Sequence, residues 1–178
     1  MDDSRARLKK VAIDALRTHG VQGLSFRELA KQMGIKSSSV HYHFPKKIDL
    51  IHEILQDYSA DFLAALGRIE ETVSQPDEQI AAAIDLYRQC LRNGQFCLCG
   101  MLAAEFRHTD EETRQQLHRF FEQLQSWFEG ALKRKGVQGD PKATAGLLVS
   151  GLEGALLIDT AQGTAGQLEN IEEFAANL

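Results

Sequence analysis

A chain of 178 residues with 43% hydrophobic and 25% charged side chains has the composition of a folded, water-soluble protein, which excludes a disordered chain and a membrane-embedded one. Its net charge of −5 argues at first against a nucleic-acid partner, but residues 1–50 hold ten Lys and Arg against five Asp and Glu, a net of +5, which leaves −10 for the remainder. No apolar run approaches the roughly 18–20 residues of a bilayer span, and the acidic start at Asp2 and Asp3 lacks the basic and apolar regions of a signal peptide, so the expected location is the cytoplasm.

Between residues 4 and 19, Leu8, Val11, Ala12, Ala15 and Leu16 form an apolar stripe at helical spacing, with Arg5, Lys9, Lys10 and Arg17 elsewhere around the helix. Gly20 stands where a C-terminal glycine stops such a helix. Ser25 followed by Glu28 has the spacing of a capping box, and Leu29, Ala30 and Met33 then share one face until Gly34, a residue that tolerates positive φ. Ser37, Ser38 or Ser39 can cap a second short helix that points Val40 and Phe44 inward and ends at Pro45. Two short helices around a glycine turn outline a helix-turn-helix, whose second helix lies in the DNA major groove while flanking groups hold phosphates. Ser37, Ser38, Ser39, His41, Tyr42 and His43 supply small or aromatic hydrogen-bonding groups for that role, with Arg27, Lys36, Lys46 and Lys47 beside them as cations.

Taken together, LSFRELAKQMGIKSSSVHYHFPKKIDLI resembles the DNA-binding domain of the TetR family of bacterial transcriptional regulators. The match keeps the aliphatic-alanine pair, the glycine followed by an aliphatic residue, and Tyr42, His43, Phe44 and Lys47. It departs at His41, a position that is often tyrosine in the family. The resemblance implies an all-α protein with a DNA-binding domain at residues 1–47 and a helical ligand-binding and dimerisation domain at residues 48–178. It also implies a double-stranded operator, a small-molecule inducer and a homodimer as partners, with repression as the default.

Residues 48–72 continue as one long helix through Ile51, Ile54, Leu55, Tyr58, Phe62, Leu66 and Ile69. In the family such a helix carries a change in the ligand domain to the reading head, and a rigid connector is the alternative. Pro76 opens the next helix, with Asp77 in its first turn, and Asn93-Gly94 closes it. The apolar stretch QFCLCGMLAAEF is expected to enter the centre of the larger domain. Thr109 with Glu112 reads as a second capping box, opening a long helix that ends at Lys133, Arg134 and Lys135. Asp140-Pro141 starts an apolar helix containing Gly146, Gly151 and Gly154, small residues that let another helix approach, and residues 167–178 form the last helix. The family pairs its last two long helices across a dimer, and an internal hairpin of a monomer is the alternative.

Three cysteines, Cys90, Cys97 and Cys99, lie close in sequence. They form neither a disulfide scaffold nor a zinc-ligand pattern, so no metal and no cofactor are expected. Their stretch resembles one in a branch of the family that includes sensors of electrophiles and oxidants, which makes them redox candidates, with Arg88, Arg92 and Arg107 near enough in sequence to stabilise a thiolate or, equally, to face water. Ordinary buried thiols are the alternative. Phe62, Tyr87, Phe96, Met101, Phe106, His118, Phe121, Trp127 and Glu153 are candidate ligand contacts or, at the same spacing, core. Glu153, alone in an apolar segment, can meet a ligand's donor, pair across a dimer or sit at a solvated edge. No Gly-rich phosphate loop, H-E-x-x-H or nucleophile elbow is present, which argues against an enzyme. The expected function is a regulator released from a palindromic operator by a ligand or by cysteine modification. The rival is a DNA-bound organiser that recruits a protein and has no inducer.

Overall fold

The computed structural model describes residues 3–178, and every regular element among them is helical. The helices are α1 (Asp3–Gly23), α2 (Phe26–Met33), α3 (Ser37–His43), α4 (Lys47–Thr72), α5 (Pro76–Arg92), α6 (Leu98–Ala104), α7 (Glu111–Lys135), α8 (Pro141–Gln162) and α9 (Gly166–Ala176), with a 3-10 turn at Phe106–His108. They gather into two compact units. The first holds the residues up to Ala60 together with Leu98–His118, and the second holds Asp61–Cys97 and Arg119–Leu178.

In the first unit Leu8, Ala12 and Leu16 of α1 meet Leu24, Leu29, Val40, Phe44, Leu50, Ile51 and Ile54 in a core where none is more than 2% exposed. Burying each of the larger side chains contributes on the order of 1.5–3 kcal/mol. The break in α1 falls at Gly20, whose φ of 70° and ψ of −171° only glycine adopts readily. Of the stretch at 95–106, expected to enter the centre of the larger domain, only residues 95–97 belong to the second unit, and from Leu98 onward it belongs to the first. Leu98, Cys99 and Leu102 make a one-sided stripe on a two-turn helix, which packs on α1 and is buried in the first unit. The Glu105 carboxylate at its end accepts the Val21 N–H at 2.7 Å.

Three expected caps differ in the structure. Ser25 occupies the extended N-cap position of α2, but its hydroxyl makes no cap bond, so the Ser25/Glu28 box is not formed. The N-cap of α3 is Lys36 rather than a serine. At α7 the working cap is Asp110: its Oδ1 accepts the Thr113 N–H at 2.9 Å and the Thr113 hydroxyl at 2.7 Å, while Thr109 turns its hydroxyl to the Phe106 carbonyl. A carboxylate one residue further on reaches the orphan N–H groups with charge, and it displaces the Thr109/Glu112 box.

The second unit is built on Leu66, Ile80, Ile84, Tyr87, Phe120, Leu124, Phe128, Leu132, Leu148, Leu152, Leu156 and Leu168, all at most 2% exposed. Asp140 caps α8 as its sequence indicates, accepting the Lys142 N–H at 2.9 Å, and Pro141 sits in the first turn. Contrary to the sequence expectation, α8 is long and apolar enough for a bilayer span, but one side of it packs inside this unit and it carries Glu153 and Asp159. At Gly151 an added Cβ would lie 2.7 Å from Ile171 Cδ1 of α9, so the small residue permits that approach. Asp159, fully buried, accepts the N–H groups of Gln167 and Leu168 at 2.9 Å and the Thr164 hydroxyl at 3.1 Å. It therefore caps α9 from within α8.

Candidate functional site

The turn between α2 and α3 is set by Gly34, at φ 67° and ψ 28°. The Ile35 N–H returns to the Ala30 carbonyl at 3.0 Å, closing α2 with a left-handed cap that favours glycine. Val40 and Phe44, both fully buried, anchor α3 by one side. The other side faces water: Ser37, Ser38, His41 and Tyr42 are exposed, Tyr42 to 83%. Ser39 and His43 are half-buried, and together with Ser4, Ile35, Ser38 and Tyr42 they line a shallow groove. The His41 ring meets Phe26 edge-on at 5.0 Å, and Tyr42 meets His43 in the same manner at 5.3 Å.

The cations around α3 divide into two groups. Arg5 donates to the His43 carbonyl at 2.7 Å, stacks on the Phe44 ring at 4.3 Å and pairs with Glu53, while Lys9 pairs with Asp57. These two fasten α3 and α1 to α4. Lys47 donates to the Val21 carbonyl at 3.0 Å, so its ammonium begins from an internal contact. Arg27, Lys36 and Lys46 are exposed and take no ion pair among the described residues. Hydroxyl, imidazole and phenol groups on an open helix face, flanked by unpaired cations, can bond to base edges and phosphates together. Arg5 is the positioning residue that the sequence reading missed, since its partners lie 38 and 48 residues away.

Comparison with known families agrees with this geometry. The profile described as bacterial regulatory proteins of the tetR family matches residues 9–54, and that of the C-terminal domain of LmrA/YxaF-like transcriptional regulators matches residues 76–174. The chain belongs to the TetR family of transcriptional regulators. The HTH-type transcriptional regulator LmrA of Bacillus subtilis is 23% identical over 99% of this chain and 96% of its own. A TetR regulator from Legionella pneumophila superposes with a TM-score of 0.92 at 27% identity, covering 99% of this chain and 97% of the other. The reduced form of Escherichia coli NemR shares the fold, with a TM-score of 0.84 at 21% identity over 99% of this chain and 97% of that one.

In this TetR-family protein the candidate regulatory residues fall in both units. Met101, Phe106 and His118 belong to the first, where Phe106 and His118 are exposed. Phe62, Tyr87, Phe96, Phe121, Trp127 and Glu153 belong to the second. There the Tyr87 hydroxyl donates to Glu153 at 3.1 Å, Phe62 sits edge-on to Tyr87 and to Phe120, and Phe121 packs on Phe120. The Trp127 indole N–H is buried without a hydrogen-bond partner.

All three cysteines are buried and reduced. Cys90 donates to the Leu86 carbonyl at 3.4 Å, Cys99 lies 3.9 Å from the Ser59 hydroxyl, and Cys97 bonds to the Glu153 carboxyl. The arginines are not arranged as thiolate partners: Arg88 pairs with Asp85 and Glu172, Arg92 pairs with Asp85, and Arg107 lies over the Phe106 ring. Among the described residues no group of three His, Cys, Asp or Glu side chains has the arrangement of a metal site.

Proposed function

We propose that this TetR-family regulator is a cytoplasmic repressor that binds a palindromic operator as a homodimer and leaves it when a small molecule enters the helical domain or a cysteine is modified. The DNA-binding domain is residues 1–47 and the regulatory domain residues 48–178. The observation that carries the reading is α3, fixed by two fully buried side chains while Ser37, Ser38, His41 and Tyr42 remain open to a groove-sized partner. Arg27, Lys36, Ser39, His43, Lys46 and Lys47 border that face, and Lys47 exchanges its internal carbonyl for a phosphate at the interface.

Pairing is supported by an apolar band on the last two helices: Leu147, Leu157 and Ile158 of α8 and Phe174 of α9 are 44–67% exposed in the single chain. A two-fold dimer places two such helices on half-sites about 34–36 Å apart. The test is a mobility shift of the purified protein on the DNA upstream of its own gene, with candidate metabolites and a thiol-reactive electrophile added to the preformed complex. Specific binding that is lost on addition is the expected result, and binding no tighter than to unrelated DNA refutes the reading. Replacing Cys90, Cys97 and Cys99 together by serine separates the two routes: loss of the electrophile response with retained metabolite response assigns the former to the thiols.

A further inference from the structure

The two acids of α8 that lie within the second unit are differently placed. Asp159 is explained by the α9 backbone that it caps. Glu153 caps nothing. Its carboxyl receives the Tyr87 hydroxyl at 3.1 Å and the Cys97 thiol, both neutral donors, and no Lys, Arg or His pairs with it among the described residues. Burial holds its pKa above the usual carboxylate range, against the lowering effect of those two hydrogen bonds. The ring of Tyr87 stands 6.1 Å from that of Phe62, which in turn stands 5.6 Å from Phe120.

Glu153 is half-buried, and a carboxylate partly withdrawn from water is disfavoured unless a cation accompanies it, whereas a glutamine could accept the same two hydrogen bonds without a charge. What an acid adds at this place is attraction for positive charge. The rings of Tyr87 and Phe62 belong to the same cluster, and an aromatic quadrupole attracts cations that a carboxylate also attracts. We propose that Glu153, Tyr87 and Phe62 form a subsite for an organic cation, a compact amine or quaternary ammonium that supplies the counter-charge the protein lacks there. The proposal rests on the reading of the second unit as a ligand domain and gives that ligand a chemical class. Burial favours the protonated carboxyl, so cation binding is coupled to its ionisation: where the carboxyl holds a proton, that proton leaves to solvent as the cation arrives, and total charge at the site is conserved. Tyr87 on α5 and Cys97 are the titratable groups shown to face the carboxyl.

The probe is benzyltrimethylammonium, with neopentylbenzene as its uncharged isostere, titrated calorimetrically and by Trp127 fluorescence into the 178-residue protein. The cation is expected to bind at least about tenfold more tightly than the isostere, as a desolvated charge pair requires. Its affinity should rise with pH and level off once the carboxyl is ionised. Glu153→Gln should remove that preference and the pH dependence together, while the isostere's affinity, operator binding and melting temperature stay as in the parent protein. Equal affinity for both probes overturns the cation class and leaves the ligand domain standing. Binding of neither overturns both, and a full cation preference in Glu153→Gln removes Glu153 from the site.

Discussion

Replacing Gly20 by alanine probes the joint between α1 and the end of α6. Gly20 has φ 70° and ψ −171°, a conformation that costs a residue with a side chain about 1–3 kcal/mol. An added Cβ would overlap the Glu105 carboxylate, which accepts the Val21 N–H at 2.7 Å. Displacing that carboxylate removes a charge-assisted hydrogen bond of about 1.5–3 kcal/mol, reduced to about 1 kcal/mol because Glu105 is half-exposed and water competes for it. The two effects sum to about 3 kcal/mol. For a chain of this length each kcal/mol lowers the melting temperature by about 2–4 °C, so Gly20→Ala should melt about 6–12 °C below the parent.

The decisive assay is a double-mutant cycle with Glu105→Ala, melted at one fixed protomer concentration so that dimerisation does not shift the comparison. Once the carboxylate is gone, Gly20→Ala retains only its backbone cost, and the cycle should show a coupling of about 1 kcal/mol. Additivity of the two changes to within about 0.5 kcal/mol would mean that Gly20 and Glu105 do not share one contact, and the packing argument would fail.

On the reading face, Tyr42→Ala should weaken operator binding by about 1–3 kcal/mol without moving the melting temperature, since the ring is 83% exposed; retained affinity would remove Tyr42 from the contact. Lys36→Ala should weaken specific and non-specific DNA alike and lower the salt slope by about 1, measured by binding across a salt series. In the first unit, burial would raise the Asp110 pKa, but the hydrogen bonds from His52 and from the Thr113 hydroxyl and N–H outweigh it and hold it at about 2. A depressed carboxylate stabilises the fold above its unfolded pKa near 3.8, and that contribution disappears as pH falls through about 2. With Asp110 partly exposed the contribution is about 1 kcal/mol, so Asp110→Asn should flatten the acid limb of the stability curve, and an unchanged limb would contradict the assignment. Asp159→Ala orphans the buried Leu168 N–H and the part-buried Gln167 N–H of α9, which should cost about 2 kcal/mol in thermal or denaturant unfolding; unaltered stability would show that the cap is dispensable.

What could be read in the sequence was chemistry confined to one turn. Gly34 and Gly94 take positive φ where the periodic pattern stops, and Asp140-Pro141 is both cap and first turn of α8. The boundaries of α4 and α5 follow from the same kind of signal. Caps failed where a neighbour had longer-range reasons to win: Asp110 also meets His52, 58 residues away, which no local pattern around Thr109 and Glu112 contains. The apolar run at 95–106 announces burial but not the surface that receives it, so its place against α1 was not legible. Likewise Arg5 looks like an outward cation of α1 until His43, Phe44 and Glu53 are brought beside it. Glu153 was conspicuous as a lone acid in an apolar segment, whereas its partners Tyr87 and Cys97 required the fold.

The surroundings of the cysteines bear on which of the two proposed routes of release, ligand binding or thiol modification, the fold supports better. The reactive form of a cysteine is the thiolate, which needs nearby positive charge and access for the reagent. Cys90, Cys97 and Cys99 are at most 6% exposed, and the arginines expected beside them are held by Asp85 and Glu172 or lie over Phe106. Cys97 instead faces the Glu153 carboxyl, a hydrogen-bond partner that supplies no positive charge. A cation drawn to Glu153 competes with the Tyr87 and Cys97 donors for one acceptor, and so reaches α5, α8 and the chain just before α6 in a single event. Differential binding between the free and DNA-bound forms can act through that shared acceptor, whereas thiol chemistry must first open a packed core. Of the two proposed routes, the arrangement therefore favours the ligand over the oxidant.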